Sequence, residues 1–364
     1  MKRFFAILLT LVMLTSLCAC DFKFPEKYRG ELNLSYITEA DINYNNNVNF
    51  LSRNFFVAKD LCLYTTVTEG GEYFCLSKDG KKIALFNIES VEGEGFDYHS
   101  FSTLNNRLYF STYLYDDETA VTSVFYDFDF ATKQFTEHLR QDEVIKWLAL
   151  QNGLLYSCDD DRGDRSLYYY NFDKKEFIAG GVYEFSVING KVRYVVYNNE
   201  YVLYEYDIET KATKKLGAFS NFNSLASLEF YFTADALVFA DTDKLYYSPN
   251  GSYFVLDINS GEITENNIPQ NIENFAVADK YAFALTRDYT NPFKEKAALY
   301  LIELKTGKAT YLNCEKPEDI SSVIAQSDSV IYLKKYIDNP FSYSTSSVSK
   351  YDVTTQQTTE LFKY

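Results

Sequence analysis

Residues 192–208, VRYVVYNNEYVLYEYDI, carry apolar or aromatic side chains on both alternating faces of an extended chain. A strand with one face in water alternates cleanly between apolar and polar positions. One covered on both faces reads as a continuous apolar run. This segment therefore predicts two consecutive strands, each buried on both sides. Its second half, VLYEYDIETKATKKL (202–216), returns in other words as LYYYNFDKKEFI, YFVLDINSGEIT, LYLIELKTGKATYL and VSKYDVTTQQTTEL. In each, a Tyr-rich strand meets a short polar turn and a further short strand follows.

The residues that open these turns are Ser77, Asp129, Asn171, Asp207, Asp257, Glu303 and Asp352, spaced about 46 residues apart on average. Asx and Gly turns are expected there. Upstream of most lies a second tight turn: NNR at 105–107, NGL at 152–154, NGK at 189–191, ADA at 234–236, ADK at 278–280 and SDS at 327–329. The unit is thus four strands, a to d. A period of about 40–50 residues with four strands per unit is the sequence mark of a β-propeller. The fold class is all-β, with seven four-stranded blades expected over 50–86, 98–139, 145–179, 183–217, 227–265, 273–312 and 320–362. Six or eight blades are the alternatives, because ELNLSYITEADI (31–42) reads as an additional strand pair within an N-terminal segment 31–49. The propeller itself is assigned to 50–364.

The repeat pattern over about residues 50–364 resembles the propellers of bacterial surface proteins, including the low-density-lipoprotein-receptor-like and quinoprotein-like groups. The chain lacks the Trp-Asp pair of WD40 blades, the Tyr-Trp-Thr-Asp run of the receptor propellers and the Gly-Gly of kelch repeats. The resemblance therefore implies a fold, and no inherited function.

The first twenty residues break the pattern. Lys2 and Arg3 precede an uncharged, largely apolar run from Phe4 to Leu17, which fits a signal-peptide core and is short for a bilayer span. It ends in Leu17-Cys18-Ala19-Cys20, which resembles the lipobox of bacterial lipoproteins. That resemblance implies removal of residues 1–19, diacylation of Cys20 and a tether over 20–30. Two acyl chains suffice for stable anchoring, so the expected location is the extracytoplasmic side of the cell membrane.

Charge narrows the partners. The full chain carries a formal net charge of −16, and removing Lys2 and Arg3 makes the mature chain more acidic still. Such a surface repels nucleic acid and anionic lipid. The expected partner is an envelope or extracellular protein or a glycan, met by a monomer that touches the membrane only through its anchor. The four cysteines besides Cys18 and Cys20 (Cys62, Cys75, Cys158 and Cys314) match no zinc spacing. They read as small buried hydrophobes, with a Cys62–Cys75 disulfide as the alternative.

Two loop classes separate. The a–b and c–d turns are short, whereas the b–c and d–a loops are longer and variable, and long loops of a repeat protein gather on one face. Candidate ligand contacts on that face are Tyr246, Tyr247, Tyr289, Phe293, Phe341, Tyr343, Asp116 and Asp117. Asn291-Pro292-Phe293 and Asn339-Pro340-Phe341 repeat one motif in neighbouring blades. Asp159, Asp160, Asp161 and Asp164 supply enough oxygen for Ca²⁺, but the EF-hand spacing fails. The same stretch holds Arg162-Gly163-Asp164, read as a solvated loop. His99 and His138 have no supporting metal or triad context. No cofactor is expected. The leading expectation is a non-enzymatic binding module. The rival is a glycan-active or ester-active enzyme with a carboxylate site in the central funnel.

Overall fold

The computed structural model describes residues 37–38, 41–42, 55–68, 71–78, 81–87, 95–116, 120–142, 144–159, 164–220, 228–246, 251–268, 271–288, 296–337 and 345–363. Within them the chain forms seven antiparallel sheets of four strands, each built from four consecutive strands. The blades span 55–87, 95–142, 144–180, 182–219, 228–268, 272–312 and 320–363. Neighbouring blades meet through their first strands, which places strand a innermost and strand d at the rim. The chain is a seven-bladed β-propeller, and its blades follow the repeat units read from the sequence.

The doubly apolar strands are explained by seven apolar clusters, one at each seam between blades. In strand Leu61–Thr68, Leu61 and Leu63 pack with Leu108 and Phe110 of blade 2. Their neighbours Cys62 and Tyr64 pack with Tyr332, Val348 and Phe362 of blade 7. Alternate residues of one strand thus serve opposite seams. Each fully buried Leu or Phe contributes about 1.5–3 kcal/mol, so a propeller strand has no face to spare for polar side chains. The single tryptophan bridges a seam: Trp147 Nε1 of blade 3 donates to Ser111 Oγ of blade 2 at 3.0 Å.

The turn-opening residues do what their type predicts. Asp129, Asn171, Asp207 and Asp257 each accept two backbone N–H groups of their own turn through Oδ1, and Asp352 accepts that of Thr355. Ser77 departs from the series: its hydroxyl is buried and caps nothing. Cys62, Cys75, Cys158 and Cys314 are all free and buried. Burial pushes the Cys62 thiol up to about 12.

The segment read as an extra strand pair differs in its four described residues. Ile37, Thr38, Asp41 and Ile42 form no strand. A single turn, closed by Asp41 N–H to the Thr38 carbonyl at 3.0 Å, lays them across the channel. Ile37 is fully buried in the cluster between blades 1 and 2, and Ile42 packs against the clusters of three seams. A strand pair would have needed a free sheet edge; this segment instead fills the axis.

Candidate functional site

The up-and-down order of each blade puts the a–b and c–d turns at one end of the ring and the b–c and d–a loops at the other. Of the long-loop candidates, Tyr247, Tyr289, Phe293, Phe341, Tyr343 and Asp117 lie outside the described residues, as do Asp160, Asp161 and Cys20. Asp116 ends strand b of blade 2. Asp159 is exposed at the end of strand b of blade 3 and stands opposite Arg165, with Asp164 exposed beside it. No group of three or more metal-ligating side chains occurs among the described residues.

Tyr246 ends a short helix, Thr242–Tyr246, within the b–c loop of blade 5. Its ring packs against the cluster between blades 5 and 6. Its hydroxyl donates to Glu229 Oε2 at 2.9 Å, and the Tyr231 hydroxyl donates to the same oxygen at 2.6 Å. Burial, reinforced by the Glu229 charge, holds both phenols well above the ordinary tyrosine range. Both therefore remain donors at any physiological pH, and they fix the helix to the inner strand.

His138 has found a structural partner. Its Nε2 lies 2.6 Å from Asp127 Oδ2, which also accepts from Arg107 at 2.6 Å. The imidazole packs, tilted, against Phe172 of the next blade with ring centroids 4.2 Å apart.

At the short-turn end the central channel opens into a mouth of about 910 Å³. It is built from the a–b turns, and these come in two kinds. In blades 1, 2 and 4 both turn residues take positive φ: Lys59 and Asp60, Asn105 and Asn106, Asn189 and Gly190. This is the type I′ pattern that matches the twist of a hairpin and favours Asn and Gly. The turns of blades 5 and 6 lack it, and the next blade captures their N–H groups instead. Asp279 Oδ1 accepts from Ala234 at 3.0 Å, and Asp328 Oδ1 accepts from Asp279 at 3.0 Å and Lys280 at 2.8 Å. Charge-assisted bonds of this kind are short and strong, so the aspartates of the ADK and SDS turns clamp blade to blade around the mouth.

The axial segment closes the other side of the mouth. Asn105 N–H donates to the Ile37 carbonyl at 3.1 Å, and the Gln326 amide donates to the Asp41 carbonyl at 2.6 Å. The Asp41 carboxylate pairs with Lys59 at 2.8 Å. Burial raises its pKa, but the bonds from Lys59 and Thr38 outweigh this and hold it below its ordinary value. Beyond the segment, apolar side chains such as Leu150, Val187 and Phe232 share the lining with Glu209, Asp279 and Asp328, and no Lys or Arg is among the described lining residues. Sequence reasoning placed the candidate ligand contacts at the opposite end. The signal available was an acidic residue in three consecutive a–b turns, Asp235, Asp279 and Asp328.

No protein-family model and no curated protein matches the chain. Solved structures do match. The β-propeller domain of the trilobed protease from Pyrococcus furiosus, which has an open velcro topology, is 11% identical with a TM-score of 0.55; the match covers 85% of this chain and 97% of that one. The likeness is the propeller fold. An acylaminoacyl peptidase in complex with Z-Gly-Gly-Phe-chloromethyl ketone (12% identical, TM-score 0.52) and the Pyrococcus horikoshii acylaminoacyl peptidase (12%, 0.51) each match 89% of this chain. The chain spans only 54% of either peptidase. Among the described residues of this chain, no strand is shared between the first and last blade. The low-density-lipoprotein-receptor-like or quinoprotein-like character stays a resemblance of the sequence pattern.

Proposed function

We propose that this protein is a lipid-anchored propeller on the extracytoplasmic side of the cell membrane that binds an envelope or extracellular protein or glycan and does not transform it. The observation that carries the binding reading is the polar mouth of about 910 Å³ at the short-turn end. Its size falls within the range of ligand sites, and it combines apolar side chains with polar groups, as such sites do. The anchor rests on Leu17–Cys20. The long-loop face, with Phe293 and Phe341, is the second surface to be tested.

Two measurements test the proposal. Palmitate labelling should mark the parent and leave the Cys20→Ser variant unlabelled; a labelled variant overturns the anchor. Capture of partners from envelope extracts should fall with Glu209→Gln and Asp328→Asn at the mouth. Loss only in the Phe293→Ala, Phe341→Ala variant would move the site to the long-loop face. Turnover of a glycan or ester by the parent would replace binding with catalysis.

A further inference from the structure

The axial segment shows how this mouth holds a peptide. Its backbone is read through carbonyls: Ile37 accepts from Asn105 N–H and Asp41 accepts from the Gln326 side-chain amide. Its apolar side chains, Ile37 and Ile42, go down into the seams. Its charged side chain is answered by a residue of opposite sign in an a–b turn, Lys59. Backbone, apolar anchor and charge are thus all recognised.

The uncovered part of the mouth repeats this construction with the sign reversed. Asn152 and Asn189 carry amides that both donate and accept, the pattern a peptide backbone requires. Leu150, Val187 and Phe232 supply the apolar floor. Glu209, Asp279 and Asp328 supply three carboxylates that meet no basic side chain within the lining. Asp279 and Asp328 are fixed by the N–H groups they accept, so they need little ordering when a cation arrives. Preorganisation of this kind lowers the cost of binding.

We propose, resting on the binding reading above, that the uncovered part of the mouth takes an extended peptide segment bearing lysine or arginine. The side-chain amides take the backbone, and the carboxylates of Glu209, Asp279 and Asp328 take the cation. An acidic or acetylated peptide is rejected, because it leaves the three carboxylates facing a like charge or no charge.

The test is fluorescence anisotropy with the full chain in detergent and a labelled eight-residue peptide of alternating Lys and Val. Peptides with Glu or acetyl-lysine in place of Lys serve as comparisons. The Lys peptide binds and the other two do not. Glu209→Gln with Asp328→Asn weakens binding at least tenfold. Asn keeps the oxygen that accepts the Asp279 and Lys280 N–H groups, so the turn is preserved; if this double variant nonetheless melts lower than the parent, Glu209→Gln alone carries the comparison. Asp159→Asn with Asp164→Asn removes the same charge at the long-loop end and leaves affinity within twofold. Equal losses in the two pairs would mean that binding follows net charge, which overturns the proposal. So would spermidine competing as well as the peptide, which would mean a cation site without peptide recognition. Failure of the Lys peptide alongside intact capture of an envelope partner removes this inference and leaves the binding module standing.

Discussion

Blade 7 holds its two neighbours by different means. Toward blade 6 the bonds run between side chains and backbone, in both directions. Asn274 Oδ1 accepts the buried Val323 N–H at 2.8 Å, Asp328 takes two N–H groups of the blade 6 turn, and Arg287 of blade 6 donates to the Glu318 and Ile320 carbonyls. The cluster beneath is largely aliphatic. Toward blade 1 the polar contacts run mainly between side chains. Lys350 pairs with Asp60 at 2.9 Å, and Tyr332 and Asp60 bond each other. The cluster here is built on Cys62, Cys75, Tyr64, Tyr73, Tyr332 and Phe362. The first seam joins blades that follow one another in the chain; the second has no covalent link and no shared strand. What it has in addition is the axial segment, with Asp41 bonded to Lys59 of blade 1 and to Gln326 of blade 7. A ring of this size tolerates a loosely bonded seam when a non-strand element pins it from the axis.

The largest test removes the ring altogether. Each blade packs only against its neighbours, but closure makes every seam depend on every other. Deleting blade 4 as 183–217 leaves blades 3 and 5 to face each other across an unmatched seam. Cooperative unfolding should disappear from the urea curve, where loss of one independent repeat would only trim the midpoint. A deletion variant that melts as sharply as the parent breaks the closed-ring account.

Next comes the apolar anchor of the axial segment, which lies in the seam between blades 1 and 2. Ile37→Asp places a carboxylate among Leu61, Leu63, Phe74 and Leu108 with no partner, which should cost about 3–5 kcal/mol. Ile37→Ala should cost about 2–4 kcal/mol. At the bonded seam, Asn274→Ala strands the buried Val323 N–H and should cost about 1–3 kcal/mol. Urea denaturation of the three variants ranks them. An Ile37→Asp protein as stable as the parent would mean that the apolar anchor of the axial segment is a passenger.

The sequence disclosed whatever was local. An Asp that caps its own turn two and three residues on, as Asp207 and Asp257 do, leaves its signature in adjacent letters, and turns of this kind recurring along the chain spell the repeat. The doubly apolar strands followed from the same logic, because each face meets a neighbour. What stayed hidden was non-local. Nothing in ELNLSYITEADI tells that Asp41 will meet Lys59 and Gln326, whose contacts depend on where the ring places their blades. Asp279 and Asp328 were visible as turn residues, but their role as clamps on the preceding blade requires the ring to exist. The mouth was not legible for that reason: long loops stand out in the sequence, while a mouth lined by the a–b turns of five blades does not. His138 and Asp127 lie eleven residues apart, yet they pair only because adjacent strands bring them together.

Acid offers the finest comparison between the seams. In the turns, the N–H of Thr132 and the matching donors elsewhere hold Asp129, Asp207, Asp257 and Asp352 below their ordinary value of 3.8. Asp41 is held low as well, by Lys59 and Thr38 against the opposing effect of burial. A carboxyl whose folded pKa is depressed stabilises the fold above its unfolded pKa, and that contribution is lost as pH falls through the folded value. The urea midpoint should therefore stay level between pH 5 and 7, as far as these groups set it, and fall below about pH 4. Asn at Asp129, Asp207 and Asp257 keeps the accepting oxygen and removes the proton, so it should flatten the acid limb while leaving the neutral midpoint nearly unchanged, because exposed groups contribute little each. Asp41→Asn breaks a closer ion pair, 2.8 Å to Lys59 against 3.4 Å for Asp129 to Arg107 and 3.7 Å for Asp207 to Lys191, so it should lower the neutral midpoint by a small amount while flattening the limb. If both substitutions behave alike at neutral pH, the Asp41–Lys59 pair adds nothing to closure, and the axial segment ties the closing seam through the Gln326 bond to the Asp41 carbonyl.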